Sequence, residues 1–186
     1  MNPLQFNGYL WLAWFVYWML AARNTKKTVE SESILSRFMH LGPPSVAYIA
    51  IFTPLLDYSP LNRPFVGPVA QWPGVALTAI GLGYAIWARL HLGRNWSATV
   101  TLKENHQLIR SGPYALTRHP IYTGMILATI GSVLTAGKLL GILAFLVIIG
   151  SWVRKLLLEE RFMGRQFGAQ YVNYRSEVKA LVPFVV

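Results

Sequence analysis

The 186-residue chain has no cysteine. That absence excludes a disulfide scaffold, a thiolate nucleophile, zinc–thiolate sites and palmitoylation. Charge is also scarce: 13% of the residues are charged, against roughly 25% in an ordinary soluble domain. Acids are the scarcest, with 7 Asp and Glu against 17 Lys and Arg, for a net charge of +10. Taken alone, that excess points to a nucleic-acid partner. The apolar content of 54%, with 7 Trp, 9 Tyr and 9 Phe in long uncharged runs, instead describes a chain built for lipid, and no nucleic acid is expected. No metal site is expected either, because His91, His106 and His119 are too widely spaced for a local ligand pair and no helix places two His four apart. His40 and His91 are read as interfacial residues.

What is present is a set of five apolar stretches, Leu4 to Ala22, Leu41 to Leu56, Val69 to Leu90, Pro120 to Ala136 and Leu139 to Val153. They predict an all-α, polytopic bundle of about five transmembrane helices. The second, fourth and fifth stretches fall short of the roughly 20 residues that cross a bilayer, so snorkelling ends, local thinning or mutual shielding is expected. Basic residues sort by loop: Arg23, Lys26, Lys27 and Arg37 follow the first stretch, Arg89, Arg94, Lys103, Arg110 and Arg118 the third, and Arg154, Lys155, Arg161, Arg165, Arg175 and Lys179 the fifth. Only Arg63 and Lys138 fall in the other two loops. The positive-inside rule then puts the amino terminus outside and the carboxyl terminus in the cytoplasm, as an inner-membrane protein in a bacterium or an endoplasmic-reticulum protein in a eukaryote.

Pro43-Pro44, Pro60, Pro64, Pro68 and Pro73 are read as turn markers around the second and third spans. In the fourth, Gly124, Ala128, Ser132 and Ala136 recur every four residues and let a neighbouring backbone approach closely. Only Gly137 and Lys138 separate the fourth and fifth stretches, which predicts a tight helical hairpin.

The segment Gly112-Pro113-Tyr114-Ala115-Leu116-Thr117-Arg118-His119-Pro120-Ile121-Tyr122-Thr123-Gly124 carries the chemistry. Pro120 starts a helix, so the N–H groups of Ile121, Tyr122 and Thr123 are expected to form an anion site framed by Arg118 and His119. The alternative is that Arg118, His119 and Tyr122 mark the membrane surface. Two of the seven acids, Glu159 and Glu160, follow the fifth stretch. Glu159 either pairs with Lys155 one turn earlier or holds a cation, and the hairpin brings it beside Pro120. A carboxylate next to an anion-binding helix start suits a zwitterion such as an amino acid. The middle of each span lacks charge, which argues against a transporter.

These residues resemble the isoprenylcysteine carboxyl methyltransferase family of integral membrane enzymes, related to the phospholipid N-methyltransferases. The resemblance rests on Arg118-His119-Pro120-x-Tyr122-x-Gly124, preceded by Gly112-x-Tyr114 and followed by Glu159-Glu160, Phe167-Gly168, Tyr171, Tyr174 and Pro183. It runs from about Gly93 to the carboxyl terminus and makes residues 93–186 the methyltransferase core, while residues 1–92, which match only in hydropathy, form the first three membrane helices of one integrated domain. It further implies S-adenosyl-L-methionine as cofactor, held by His106, Gln107, Leu108, Ile109, Tyr114, His119, Pro120, Ile121, Tyr122 and Glu159. Lys155 stands where the family has Arg, one turn before the acidic pair, and with Arg154 and Arg118 it makes the candidate catalytic set. The implied reaction is carboxyl O-methylation of an isoprenylcysteine-like acceptor that reaches the site from the bilayer. N-methylation of a phospholipid amine, an NADPH-dependent reductase of the sterol type and a non-catalytic membrane protein are the alternatives.

Overall fold

A computed structural model describes residues 2–23, 25–26, 28–53, 60–97, 99–103 and 107–183. Its helices are α1 (Pro3–Ala21), α2 (Ile34–Phe52), α3 (Gln71–Leu92), α4 (Pro120–Ala136), α5 (Leu139–Phe167) and α6 (Ala169–Glu177). The expected all-α bundle is present, with one addition. Thr28–Ser31 (β1) and Thr101–Lys103 (β2) pair as an antiparallel ribbon, too short and too weakly alternating to read in advance.

Two helical segments are long and apolar enough to cross a membrane, Pro68–Asn95, which is α3 with its flanking turns, and Leu139–Phe167. Apolar side chains also face outward from several helices, among them Phe15, Met19, Phe38, Ile80 and Leu146. So much exposed apolar surface is the signature of a protein solvated by lipid.

The connections gather at two ends. β1 and β2 join the α1–α2 and α3–α4 connections, while the backbone N–H groups of Arg118 and His119 donate to the carbonyls of Lys179 and Ala180, which adds the carboxyl-terminal segment to that end. At the other end the Phe65 N–H donates to the Gly137 carbonyl and the Leu139 N–H to that of Arg63. The three basic connections thus share one end of the bundle.

Two span boundaries shift. The second helix starts at Ile34 rather than Leu41, capped by the Ser33 side chain accepting from the Ser36 N–H, and Pro43 and Pro44 lie inside it instead of marking a turn. Proline removes the donors to the carbonyls one turn back, a loss tolerated where neighbouring groups satisfy the backbone. α5 continues to Phe167, and its 29 residues measure about 44 Å, beyond the ~30 Å of hydrocarbon. Glu159 and Glu160 therefore ride on the part of α5 that projects past the apolar stretch.

The small-residue face of α4 packs against α3. Gly81 meets Gly124 and Gly74 meets Gly131, so close that a Cβ built on any of the four falls 2.4 to 2.6 Å from backbone atoms of the other helix. Ala136, the last member of the predicted stripe, packs elsewhere, against the Val133–Ala144–Ile148 cluster shared with α2 and α5. A buried polar set locks α1 onto this pair: the Asn7 amide donates to the Thr78 and Thr135 hydroxyls at 2.9 and 3.1 Å and accepts from Ser132 at 3.1 Å. Gly137 ends α4 in the left-handed region, at φ 67°, and the predicted two-residue hairpin into α5 follows.

Candidate functional site

Pro120 opens α4, as its fixed φ and missing N–H favour. The anion site expected there is partly filled by the chain itself. The Thr123 N–H donates to the His119 carbonyl at 3.0 Å, the Thr123 hydroxyl donates to the Leu181 carbonyl at 2.7 Å, and the segment 179–181 lies across the helix start. What the start of α4 presents to the rest of the site is therefore its side chains.

Glu160 is the anchor of this end. Its buried Oε1 accepts from Arg118 Nε at 3.0 Å and Nη2 at 2.7 Å and lies 3.3 Å from His119 Nε2, while Oε2 lies 3.7 Å from Arg175 Nε. Arg118 Nη1 reaches on to the carbonyls of Arg175 and Val178, so its guanidinium ties α4, α5 and the segment after α6 together. Burial alone would raise the Glu160 carboxyl, but hydrogen bonds and charge from His119 and Arg118 outweigh it and hold the group at about 2. A carboxyl held below its ordinary value of 4.5 stabilises the fold above that pH, and the stabilisation is lost as pH falls from 4.5 toward 2. Glu160→Gln is accordingly expected to lower Tm in detergent at pH 7 and to flatten the acid limb of the Tm–pH curve. An unchanged acid limb would show that the cluster does not couple to folding.

Glu159 faces another way, 100° round the helix. Tyr122 donates its hydroxyl to Glu159 Oε1 at 2.8 Å, Lys155 Nζ lies 3.7 Å from the same oxygen, and His119 Nδ1 lies 3.8 Å from Oε2. The Lys155 ammonium also sits 5.7 Å from the centre of the Tyr122 ring. The expected contact with Lys155 is present, and the hairpin does bring Glu159 beside the start of α4. Its side chain keeps 25% of its surface open, against 8% for Glu160, so Glu159 is the acid that remains accessible.

Tyr114 lies within electrostatic reach of Glu159, on a 3₁₀ turn at Gly112–Ala115. Burial first, and Glu159 second, push its phenol upward. The Tyr174 hydroxyl donates to the Tyr114 carbonyl at 2.5 Å, and the His91 ring stacks at 6.5 Å between centroids. His91 thus lies against this turn, with Nε2 2.9 Å from the Ser111 hydroxyl. At Gly112, with φ 59°, a Cβ would fall 2.7 Å from that ring, so only glycine fits. Pro120 is buried and Ile121 half-buried behind these groups. Gln107 is exposed, with its N–H donating to Asn95 Oδ1 at 3.4 Å, and Leu108 and Ile109 are half-buried. His106 lies outside the described residues.

Arg154 turns away from Glu159 toward α2. Nη1 donates to the Ser36 carbonyl at 3.2 Å and lies 3.4 Å from His40 Nδ1, and Nη2 donates to the Ser36 hydroxyl at 3.3 Å. Ser36 in turn donates to Glu32 Oε2 at 2.8 Å, while Glu32 Oε1 accepts from the Val100 N–H at 3.2 Å. His40 Nε2 is 3.2 Å from Glu32 Oε1, in ion-pair range but poorly aligned for a hydrogen bond. His40 is 1% exposed, so it is buried inside the protein rather than placed at the lipid interface. It also lies within electrostatic range of Lys155 and Glu159. Glu32, Ser36 and His40 are the residues that sequence reasoning missed. Their spacing of four, with Ser36 and His40 on one face of α2 and Glu32 just ahead of its cap, is the signal that marks them.

Comparison with known proteins now bears on this geometry. The sequence model of a family described as phospholipid methyltransferase matches residues 69–170, more than half of the chain. Protein-S-isoprenylcysteine O-methyltransferase B of Arabidopsis thaliana is 28% identical over 173 residues, covering 89% of this chain and 84% of the relative. A probable protein-S-isoprenylcysteine O-methyltransferase of Oryza sativa subsp. indica is 26% identical over 172 residues, covering 91% and 88%. Among solved structures, a eukaryotic intramembrane Ras methyltransferase, isoprenylcysteine carboxyl methyltransferase, superposes with a TM-score of 0.56 at 23% identity, over 84% of this chain and 55% of that one.

Proposed function

Because the chain belongs to the phospholipid methyltransferase family, we propose that it transfers a methyl group from S-adenosyl-L-methionine to the carboxylate of a lipophilic, isoprenylcysteine-like acceptor. Membership of that family leaves the reductase and non-catalytic readings without support. The observation that carries the proposal is the open carboxylate of Glu159, held by the Tyr122 hydroxyl at 2.8 Å beside a cluster of cations at the basic end of the bundle.

The donor and acceptor types at this end of the bundle support that cofactor. Glu159 offers its open oxygen to the ammonium of the amino-acid end, while His119, Pro120, Ile121 and Tyr122 frame the adjoining carboxylate. Tyr114 with Leu108 and Ile109 supplies aromatic and aliphatic surface for the adenine, and Gln107 supplies hydrogen bonds to the adenosine. When bound, S-adenosyl-L-methionine supplies a methyl group on a cationic sulfur, open to in-line displacement. The protein's share is alignment and exclusion of water. Arg118 contributes by fixing the carboxyl-terminal segment over α4, and Lys155 with Arg154 brings positive charge to the acceptor side.

A carboxylate acceptor is ionised at neutral pH and needs no base; an amine must lose a proton. Glu160, the nearest second acid, is held at about 2 by its partners and is a poor proton acceptor, which leaves His119 as the base that an amine acceptor would require. The family description favours the amine of a phospholipid as the second reading.

We further read α1 to α5 as five spans with the basic end in the cytoplasm, so that the cofactor arrives from water and the acceptor from lipid. The test supplies purified protein with methyl-labelled S-adenosyl-L-methionine and offers an S-prenylcysteine analogue and phosphatidylethanolamine vesicles in parallel. Base-labile label on the prenylcysteine analogue is the expected result. Base-stable label on the phospholipid would transfer the assignment to N-methylation, and no label on either would overturn both.

A further inference from the structure

The basic side chains near Glu159, His40 as a neutral ring among them, do not have equivalent partners. Arg118 faces Glu160 at 2.7 Å, Lys155 faces Glu159 at 3.7 Å and His40 faces Glu32 at 3.2 Å. Arg154 has only neutral acceptors among the described residues: the Ser36 carbonyl, the Ser36 hydroxyl and His40 Nδ1. A partly buried guanidinium with no direct ion pair, reached by Glu32 only through Ser36 and His40, is costly unless an anion completes it.

Its position says where such an anion arrives. Arg154 is flanked on α5 by Val153 and Leu157, which are 40% and 50% exposed and point outward, and it packs against the first two turns of α2. It therefore stands at the outer seam between α2 and α5, one residue from Lys155. The other approach to the site, the groove between α4 and α5 lined by Tyr122, Ile126, Ile149, Trp152, Val153 and Leu156, has no charged side chain in its lining. An apolar tail is at home in either place; a guanidinium stands only at the seam, whereas the groove has the Lys155 ammonium at its Tyr122 end, paired with Glu159.

α2 also holds the guanidinium in one orientation. An Arg N–H can only donate, so His40 Nδ1 is the acceptor, and in the neutral ring the proton sits on Nε2 beside Glu32. Ser36 accepts from Arg154 and donates to Glu32. The two contacts meet in one carboxylate, which is itself fixed by the Val100 N–H just ahead of β2. Nε and one Nη2 hydrogen of Arg154 have no partner among the described residues, which is the two-pronged edge that matches a carboxylate or a phosphodiester.

We propose that Arg154, oriented by Ser36 and the His40–Glu32 pair, receives the anionic oxygens of the membrane-borne acceptor at the α2–α5 seam and hands them toward Lys155. The inference rests on the proposed transferase reading and assigns the acceptor's side of the same site. In the carboxylate case the bond that forms is from a carboxylate oxygen to the methyl carbon and the bond that breaks is carbon to sulfur, so the sulfonium becomes a neutral thioether and no proton moves. Arg154 is a binding residue; Glu32, Ser36 and His40 are positioning residues.

Calorimetry in detergent micelles reads the proposal apart from turnover, with an S-prenylcysteine analogue as one titrant, dispersed phosphatidylethanolamine as another and S-adenosyl-L-methionine as the third. Arg154→Ala is expected to weaken one anionic acceptor at least about tenfold, leave the cofactor unchanged and regain affinity with methylguanidinium in the buffer. The titrant that responds identifies the source of the anion. Glu32→Gln, which keeps shape and removes charge, is expected to raise acceptor KM severalfold at constant cofactor Kd, and it serves if Arg154→Ala fails to fold. Unchanged affinity for both acceptors, or a loss confined to the cofactor, overturns the assignment. A wild-type protein that binds an acceptor through Arg154 yet methylates none overturns the transferase reading and leaves this one standing.

Discussion

Glu159→Gln is expected to raise the Kd for S-adenosyl-L-methionine at least about a hundredfold, an effect of about 2.7 kcal/mol, with little change in Tm. The size follows from what the side chain offers. Glu159 is a partly sheltered carboxylate whose Oε1 accepts the Tyr122 hydroxyl at 2.8 Å and whose Oε2 is the less committed oxygen, 3.8 Å from His119. Glutamine preserves the length and the hydrogen bond from Tyr122 but removes the charge that an ammonium requires, and charge-assisted bonds are roughly twice as strong as neutral ones. Stability changes little because the Lys155–Glu159 pair is a half-open contact at 3.7 Å, the kind that contributes a few tenths of a kcal/mol. Neighbouring Glu160 behaves in the opposite way, its replacement lowering Tm because the carboxylate is consumed by Arg118 and His119. Calorimetry on both variants separates the two roles, and an unchanged cofactor affinity in Glu159→Gln would remove the site from this end of α5.

The contrast between the two glutamates also shows what the sequence makes legible. That Glu159 meets Tyr122 is readable in advance, because two residues between α4 and α5 force a hairpin and a hairpin returns the end of one helix to the start of the other. Which glutamate stays open is not readable, since it depends on Arg118, whose partners include the carbonyls of Arg175 and Val178 far along the chain. The Glu32–Ser36–His40 set escapes notice because the apolar run begins at Leu41, whereas the helix that carries Ser36 and His40 begins at Ile34. A hydropathy boundary marks where lipid starts, and a helix starts where its N–H groups find a cap, here Ser33. β1 and β2 are invisible for a related reason: a ribbon of four and three residues exists only because α1 to α4 bring its two halves to the same end.

Gly81→Ala and Gly131→Ala are each expected to cost about 3 kcal/mol or more, enough to prevent folding in most detergents, although each adds one methyl group. At Gly81 the new carbon falls 2.4 Å from the Ala128 nitrogen and 2.5 Å from the Gly124 carbonyl oxygen; at Gly131 it falls 2.5 Å from the Gly74 carbonyl oxygen and from the Thr78 nitrogen. These obstacles are backbone, so no rotamer change relieves them and α3 must separate from α4. Separation also breaks the buried Asn7–Thr78–Thr135 set, whose polar groups have no water to turn to. Gly83 supplies the control, because it is exposed with nothing within 4 Å of its added carbon, and alanine there is expected to leave Tm equal or higher. Gly124 connects this packing to the chemistry. Its added carbon falls 2.5 Å from the Gly81 carbonyl oxygen, and Gly124 lies two residues beyond Tyr122 on the first turns of α4. Any protein that survives Gly124→Ala must shift the helix start that carries Tyr122, so cofactor affinity is expected to fall with Tm in that variant. In Gly83→Ala neither should fall, and a Gly81→Ala protein with wild-type Tm would show that the two helices are not in backbone contact.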